Sequence, residues 1–365
     1  MRGEPEPDPR FPCTECGAKL EFAPGTRLLR CPHCRTENVF AANPARIEDL
    51  DFEAALSRLE ERAEMLEAQT LKCVECGAEE RLPAHHFAAR CAFCAAVIVS
   101  KGYARRDLRP GSMIPFQVDR ARAQQAFRGW VRRLWLVPRE FRRYAYSDAA
   151  MTGIYLPFWA YGCRASTDYA GERGVEYYVD EGYMSTNSAG QAVDAPRRVL
   201  YTDWSSVTGH VESSHEDVLV SASATMAPWV GRAASNWHLK ALVAYQPEYV
   251  SGYFAEAYQV GLRAAFSLAR ERIDAEVRSA IRRDIGADRQ RVHWFDSRYS
   301  DVRFKHVLLP VWMSAYRFRG KAYRFIVNGQ TGEVSGDSPV SWHKVTGLAL
   351  GAIAAILVAF VLFRG

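Results

Sequence analysis

The sequence predicts an α+β protein made of two N-terminal four-cysteine modules joined by a helix, a mixed antiparallel-sheet α+β body, and one C-terminal transmembrane helix. Three observations carry that expectation. Eight of the nine cysteines fall into two quartets of identical spacing. Aromatic-rich, alternating segments bounded by Gly and Asn turns fill the chain beyond residue 150, with one long helical period among them. The run 345–363 carries no charge at all.

Composition sets the outer limits. With 48% hydrophobic and 24% charged residues, the 365-residue chain is globular rather than disordered, and at about 150 residues per domain it holds two or three domains. Nine cysteines are too sparse for a disulfide-knotted secreted scaffold. The net charge of +5 is unevenly spread: residues 1–100 carry 12 Lys and Arg against 17 acids, residues 101–143 carry 12 against 3, and residues 144–365 carry 23 against 22. Residues 1–10, rich in Glu, Pro and Arg, are expected to be disordered, and Met1 to Pro12 contain no apolar run that would make a secretory signal.

The cysteines are the sharpest signal. Cys13 and Cys16 form one C-x2-C pair and Cys31 and Cys34 the next; Cys73, Cys76, Cys91 and Cys94 repeat all four positions with an offset of 60. A C-x2-C turn sets two thiolates on one side of a tight knuckle, and a hairpin that joins two knuckles completes a tetrahedron of sulfurs about 2.3 Å from a zinc ion. Gly17 and Gly77 follow the leading pairs, where the turn needs a positive φ; Arg35 and Ala95 stand after the trailing pairs instead of the glycine often found there. Disulfides, redox pairs and an iron–sulfur cluster are the alternatives. A reducing compartment disfavours disulfides, and four ligands with no fifth residue is how structural zinc sites close. Two zinc ribbons, at 11–42 and 70–101 and each with one structural zinc ion, are therefore expected. His33, His85 and His86 read as loop residues, and Cys163 as a buried thiol.

Between the ribbons, residues 45–69 carry eight acids and three Arg. Phe52, Leu56, Leu59, Ala63 and Leu66 line one apolar seam, which predicts a linker helix packed on a neighbouring domain or paired with a second copy. Residues 10–40 hold five cations against three acids and residues 71–100 hold three of each, which is poor electrostatics for nucleic acid and favours protein-binding knuckles.

The body is expected over 105–340. A helix over 119–135, capped by Asp119, carries Arg120, Arg122, Arg128, Arg132 and Arg133, with Arg139, Arg142 and Arg143 beyond it. These cations suit pairing with the acidic linker helix, anionic lipid, or nucleic acid, in that order. Strands are expected at Gly153–Tyr161, Asp168–Gly174, on to Tyr183, Val199–Trp204, Thr208–Glu212, His293–Ser297, His306–Phe318, Lys321–Asn328 and Glu333–Ser335, and a helix at Gln259–Asp284 stopped by Gly286. Arg319-Gly320 and Asn328-Gly329 mark hairpin turns. Leu156-Pro-Phe-Trp159 and Leu309-Pro-Val-Trp312 echo each other. No phosphate loop, Gly-x-Ser-x-Gly elbow or His-Glu-x-x-His motif occurs. His210, His215 and Asp217 are neighbours in sequence only, so no enzyme chemistry is expected.

As a helix, residues 345–363 span about 28 Å, close to the thickness of a bilayer core. Trp342, His343 and Lys344 precede the run and Arg364 follows it. Lys344 and Arg364 cancel as orientation signals, so the lack of a signal peptide leaves the preceding domains expected in the cytoplasm. Gly347, Gly351, Ala355 and Ala359 form a stripe of small residues on which a partner helix or a second copy could pack.

The two ribbons, the tail, and the phrases Asp168-Tyr-Ala-Gly-Glu-Arg-Gly174, Phe304-Lys-His-Val-Leu-Leu-Pro-Val-Trp312 and Val327-Asn-Gly-Gln-Thr-Gly-Glu-Val334 resemble the bacterial family of membrane-bound TFIIB-type zinc-ribbon proteins. Members are often labelled primosomal protein N-prime or superfamily II helicase, but this sequence lacks the helicase motor. The resemblance implies an inner-membrane protein that recruits a flotillin-like SPFH partner or a membrane-stress protein. The resulting expectation is a non-enzymatic, tail-anchored zinc-ribbon adaptor, with a nucleic-acid-binding replication factor as the alternative.

Overall fold

The computed structural model describes residues 11–61, 66–72, 79–81, 88–90, 97–99, 103–107, 110–146, 151–186, 192–224, 236–318 and 321–341, and positions 344, 346–347, 350–353, 355–356 and 359–360. The mixed α+β class with antiparallel sheets is as expected.

The chain opens with a small antiparallel sheet, β1 (Glu21–Phe22), β2 (Leu28–Arg30) and β3 (Glu37–Val39), in the order β1-β2-β3. Next come β4 (Leu50–Asp51), α1 (Phe52–Glu61), β5 (Leu66–Lys72), β6 (Glu79–Arg81), β7 (Ala88–Arg90), β8 (Val97–Val99) and β9 (Tyr103–Asp107). The body follows with β10 (Ser112–Met113), α2 (Arg120–Arg133), α3 (Arg139–Tyr146), β11 (Thr152–Thr186), β12 (Ala192–Ser221), β13 (Val243–Ala244), α4 (Pro247–Val250), β14 (Phe254–Glu256), α5 (Leu262–Ile285), β15 (Arg289–Phe318), β16 (Lys321–Asn328) and β17 (Val334–Gly336). Among the described residues, every strand outside the first sheet and the β7–β8 pair belongs to one 12-stranded sheet.

The linker helix is shorter than its seam predicts. Asp51 Oδ1 accepts the Ala54 N–H at 2.7 Å and starts the helix at residue 52. The acidic stretch before it is extended and pairs β4 with β15 at Phe304↔Leu50. Leu66, expected to end the helical seam, instead opens β5, which pairs with β9 and β6. Backbone pairing across those strands overrides the helical period.

The strand boundaries also differ. The segments expected separately at 153–161, 168–174 and on to 183 are one strand of 35 residues, β11; the expected pairs in β12 and β15 likewise merge into strands of 30 residues each. The Gly and Asp residues that look like breaks are bulges. The register shifts near Gly162 in β11, and across from it Asp217 (φ 55) and Asp301 (φ 52) take left-handed conformations that let their strands keep pairing. At the second bulge, a Cβ on Gly171 would stand 2.2 Å from the Arg291 carbonyl oxygen, so only glycine fits there.

One face of this long ribbon lies under α5. Ala265, Ala269, Ile273, Val277, Ile281 and Ile285 are buried at regular helical spacing, the two alanines in one cluster with Trp159 and Tyr161 and the other four in one with Cys163, Ala165 and Tyr169. Gly286 (φ 67) ends the helix, its N–H bonded to the Arg282 carbonyl at 3.1 Å. The opposite face is a solvated ladder of cross-strand ion pairs, including Arg291–Glu172 at 3.2 Å and Arg298–Asp168 at 3.8 Å. Beyond Gly174↔Arg289, β11 and β12 continue alone, with Val175, Tyr177, Tyr178 and Tyr201 exposed.

The two Leu-Pro-x-Trp phrases are cross-strand neighbours at the core, with Leu156 directly opposite Leu309. α2 is capped as expected, the Arg122 N–H donating to Asp119 Oδ1 at 2.8 Å, and it buries Ala123, Phe127 and Val131. Phe127 stacks on Phe325 of β16 at 3.7 Å. Pairing of α2 with the acidic linker is not what the described residues display. The linker's Asp49 instead joins Asp217 around Lys305, at 3.2 and 2.8 Å, and Phe52 and Leu56 of α1 bury against Tyr161 and Phe304.

The expected hairpin turn at Arg319-Gly320 lies outside the described residues. The Asn328-Gly329 turn is present, with Asn328 Oδ1 accepting the Gln330 and Thr331 N–H groups. Of the expected membrane helix, the described positions are helical, and Leu350, Ile353, Ile356 and Phe360 are exposed. Among the described residues no helix is long and apolar enough to cross a membrane. No described atom lies within 4 Å of a Cβ placed on Gly347 or Gly351.

Candidate metal centre

The first quartet converges. The Sγ atoms of Cys13, Cys16, Cys31 and Cys34 all lie within 4.8 Å of one another, with Cys13 to Cys34 and Cys16 to Cys31 at 3.5 Å. Four sulfurs about 2.3 Å from one ion would stand about 3.8 Å apart. The cluster is therefore a site that can hold one metal ion.

The two knuckles are built alike. The Cys13 N–H donates to the Ala18 carbonyl at 2.7 Å and the Gly17 N–H returns to the Cys13 carbonyl at 2.9 Å; Cys31, Thr36 and Arg35 repeat the pattern at 3.0 and 3.1 Å. Gly17 has φ 72 and Arg35 φ 64. The position after the trailing pair thus needs the left-handed conformation just as Gly17 does, and Arg35 adopts it despite its side chain. Thr36, which spacing alone did not single out, completes this knuckle with its hydroxyl 3.1 Å from Cys34 Sγ. The Thr36 hydroxyl and N–H hold the Cys34 thiol down, to about 6. The backbone of Ala18 pulls Cys16 the same way, but the Cys31 and Cys34 sulfurs beside it push it up to about 12. Thiols this close oppose each other's ionisation, and a shared cation is what relieves that conflict.

Cys13 and Cys31 are buried while Cys16 and Cys34 are exposed. The buried pair sits over the body: Phe22 packs edge-on to Tyr249 at 5.1 Å, Ser251 Oγ donates to the Leu20 carbonyl at 2.6 Å, and the Gly25 N–H donates to the Phe116 carbonyl at 2.8 Å. Leu20, Phe22 and Leu29 share one core with Phe116, Phe127 and Tyr155. His33 is not among the converging ligands.

Cys73, Cys76, Cys91 and Cys94 lie outside the described residues, as do His85 and His86. The strands flanking them are described, and their registers repeat those of the first module. Pro12↔Lys19 recurs 60 positions on as Lys72↔Glu79, and Leu28↔Val39 with Arg30↔Glu37 recurs as Ala88↔Val99 with Arg90↔Val97.

The remaining candidates do not form one centre. Asp217 belongs to Lys305. His210 Nδ1 lies 2.7 Å from Asp168 and its Nε2 3.3 Å from the Ser166 hydroxyl. His215, buried, bridges Glu276 at 2.8 Å and Ser213 at 2.9 Å. Each imidazole thus lies between a hydroxyl and a carboxylate, an arrangement the sequence did not reveal because each imidazole on β12 meets its carboxylate from another element, Asp168 on β11 or Glu276 on α5. Ser166 sits on β11, which pairs with β12 and β15 on both sides, so the neighbouring backbone N–H groups are spent in the ladder and offer no oxyanion hole. Cys163 is buried as expected, which pushes its thiol from 9.0 up to about 11.

Comparison with known proteins adds one relative. The chain is 28% identical over 264 residues, 71% of this chain and 73% of the other, to the uncharacterized protein YdjG of Bacillus subtilis strain 168. No model of a known protein family matches the chain. No solved structure matches it either.

Proposed function

We propose that this chain is a non-enzymatic, tail-anchored adaptor. Two zinc ions staple its N-terminal modules, residues 345–363 fix it in a bacterial inner membrane, and the modules and body bind a protein partner on the cytoplasmic side. The observation that carries this reading is the four-sulfur cluster of Cys13, Cys16, Cys31 and Cys34. Four thiolates fill a tetrahedral ion, leave no open position for a substrate, and make the metal a structural staple. The repeated hairpin registers around Cys73–Cys76 and Cys91–Cys94 support a second staple of the same kind. Exposed Leu350, Ile353, Ile356 and Phe360 support the anchor, because lipid would cover them. By resemblance the partner is a flotillin-like SPFH protein.

The test is affinity capture of the full chain from solubilised bacterial membranes, with metal analysis of the product. About two zinc per chain and an SPFH-type partner are expected. Recovery of replication proteins, together with tight DNA binding that falls steeply with salt, would favour the replication factor instead.

A further inference from the structure

The root of the C-terminal segment is clamped to one turn of the body. The Ser341 N–H donates to the Leu136 carbonyl at 2.7 Å. Lys344 Nζ donates to the carbonyls of Trp135 at 3.0 Å and Val137 at 2.8 Å. The residue just before the charge-free run is thereby held against the connection between α2 and α3. That connection is firm: Val137 and Phe141 are buried beneath it, and Arg142 Nη2 donates to the Leu134 carbonyl at 3.1 Å.

What the connection displays is suited to a lipid headgroup layer. Trp135 is 60% exposed. Arg132 and Arg133 end α2 on one side of it; Arg139 and Arg143, one helical turn apart, open α3 on the other, and all four are exposed. Glu140 is the single acid between residues 132 and 143. Among the described residues none of the four arginines makes an ion pair, while Arg122 pairs with Asp119 at the far end of α2.

We propose that the α2–α3 connection is a binding patch for acidic phospholipid, with Trp135 at headgroup depth and Arg132, Arg133, Arg139 and Arg143 on the lipid phosphates. The proposal rests on the anchor reading above and extends it. An amphipathic indole prefers the membrane interface, and each basic side chain near an anionic surface strengthens attachment roughly fivefold. That attraction fades over a Debye length of about 8–10 Å, so the position of Lys344 decides which cations take part. Arg120 and Arg122 stand up to about 20 Å away along α2 and serve as the internal control.

The test uses the full chain in lipid nanodiscs, made either of phosphatidylcholine alone or of phosphatidylcholine with an equal amount of phosphatidylglycerol. Tryptophan quenching by brominated lipid and amide exchange over 132–143 are the readouts. Quenching and protection are expected to rise with phosphatidylglycerol, the quenching gain to vanish in Trp135→Phe, and Arg139→Gln to raise the phosphatidylglycerol content needed for half the effect roughly fivefold. Arg120→Gln with Arg122→Gln leaves the response unchanged. An inserted protein that responds alike in both nanodiscs would overturn the patch and spare the anchor, whereas a wild-type chain that alkaline carbonate strips from membranes would overturn both. Protection of 132–143 by duplex DNA in phosphatidylcholine alone would reassign the arginines to nucleic acid and sink the proposal.

Discussion

The two four-cysteine modules share one ligand spacing and are attached to the body in different ways. The first forms its own three-stranded sheet and docks by burying Leu20, Phe22 and Leu29, with a few hydrogen bonds such as Gly25 N–H to the Phe116 carbonyl but no strand pairing to the body. The second carries Glu80, Leu82 and Ala89 at the matching positions and joins through its backbone: β6 pairs with β14 and β5 with β9, so its leading hairpin extends the large sheet. A metal needs only four sulfurs on two knuckles, so ligand spacing is free to repeat while the residues between the ligands diverge. The ligands set the local chemistry, and the intervening residues set where each module is seated.

The largest test of this comparison removes one ligand at a time. Structural zinc contributes about 10–16 kcal/mol of apparent binding energy in small modules, so Cys31→Ser is expected to cost one zinc per chain and unfold the first module. Cys73→Ser is expected to cost one zinc and leave the first module's contacts intact; zinc analysis and amide exchange over 11–40 check both. If Cys73→Ser also released the first module, the two would not be independent. Next in size is Phe22→Ala, which deletes the docking aromatic and should lower stability by about 3–5 kcal/mol in denaturant melts without changing zinc content.

Much of this was legible in the sequence. The first quartet of cysteines, the α2 cap at Asp119, the α5 stripe and its Gly286 stop, and the Asn328-Gly329 turn all follow from local chemistry. The long strands did not, because Gly162, Gly171, Asp217 and Asp301 look like punctuation until their neighbours across the ribbon show them to be bulges. The linker misled for a related reason. A heptad-like seam from Phe52 to Leu66 is a local signal, while the pairing of Leu66 with Asp107 spans 41 positions and leaves no local trace. The docking of the first module on Ser251 and Tyr249 is equally non-local.

Smaller effects probe the ribbon and the seat. Gly171→Ala is expected to cost about 1–3 kcal/mol by driving a methyl into the Arg291 carbonyl, seen as faster amide exchange at the β11–β15 pairing. Cys163 sets a pH dependence. Burial raises its folded value from 9.0 to about 11, so the folded state favours the protonated thiol. That contribution is whole below pH 9 and is lost as pH climbs toward 11. Thermal melts should fall over that window more in the wild type than in Cys163→Ala. Smallest is Ser251→Ala, which removes the bond to the Leu20 carbonyl and should cost about 1 kcal/mol.

The ribbon also has a mechanical consequence. Its base, where Thr152 faces Met313, adjoins the core in which Met151 packs with Val137, the residue whose carbonyl holds Lys344, and its other end lies a full strand away. Thirty-five residues in one strand measure up to about 115 Å. A rocking of about 5° where the base is held would swing the far end through about 10 Å. The molecule is in effect a lever, and a probe placed near Tyr183 would register tilts too slight to detect at the fulcrum.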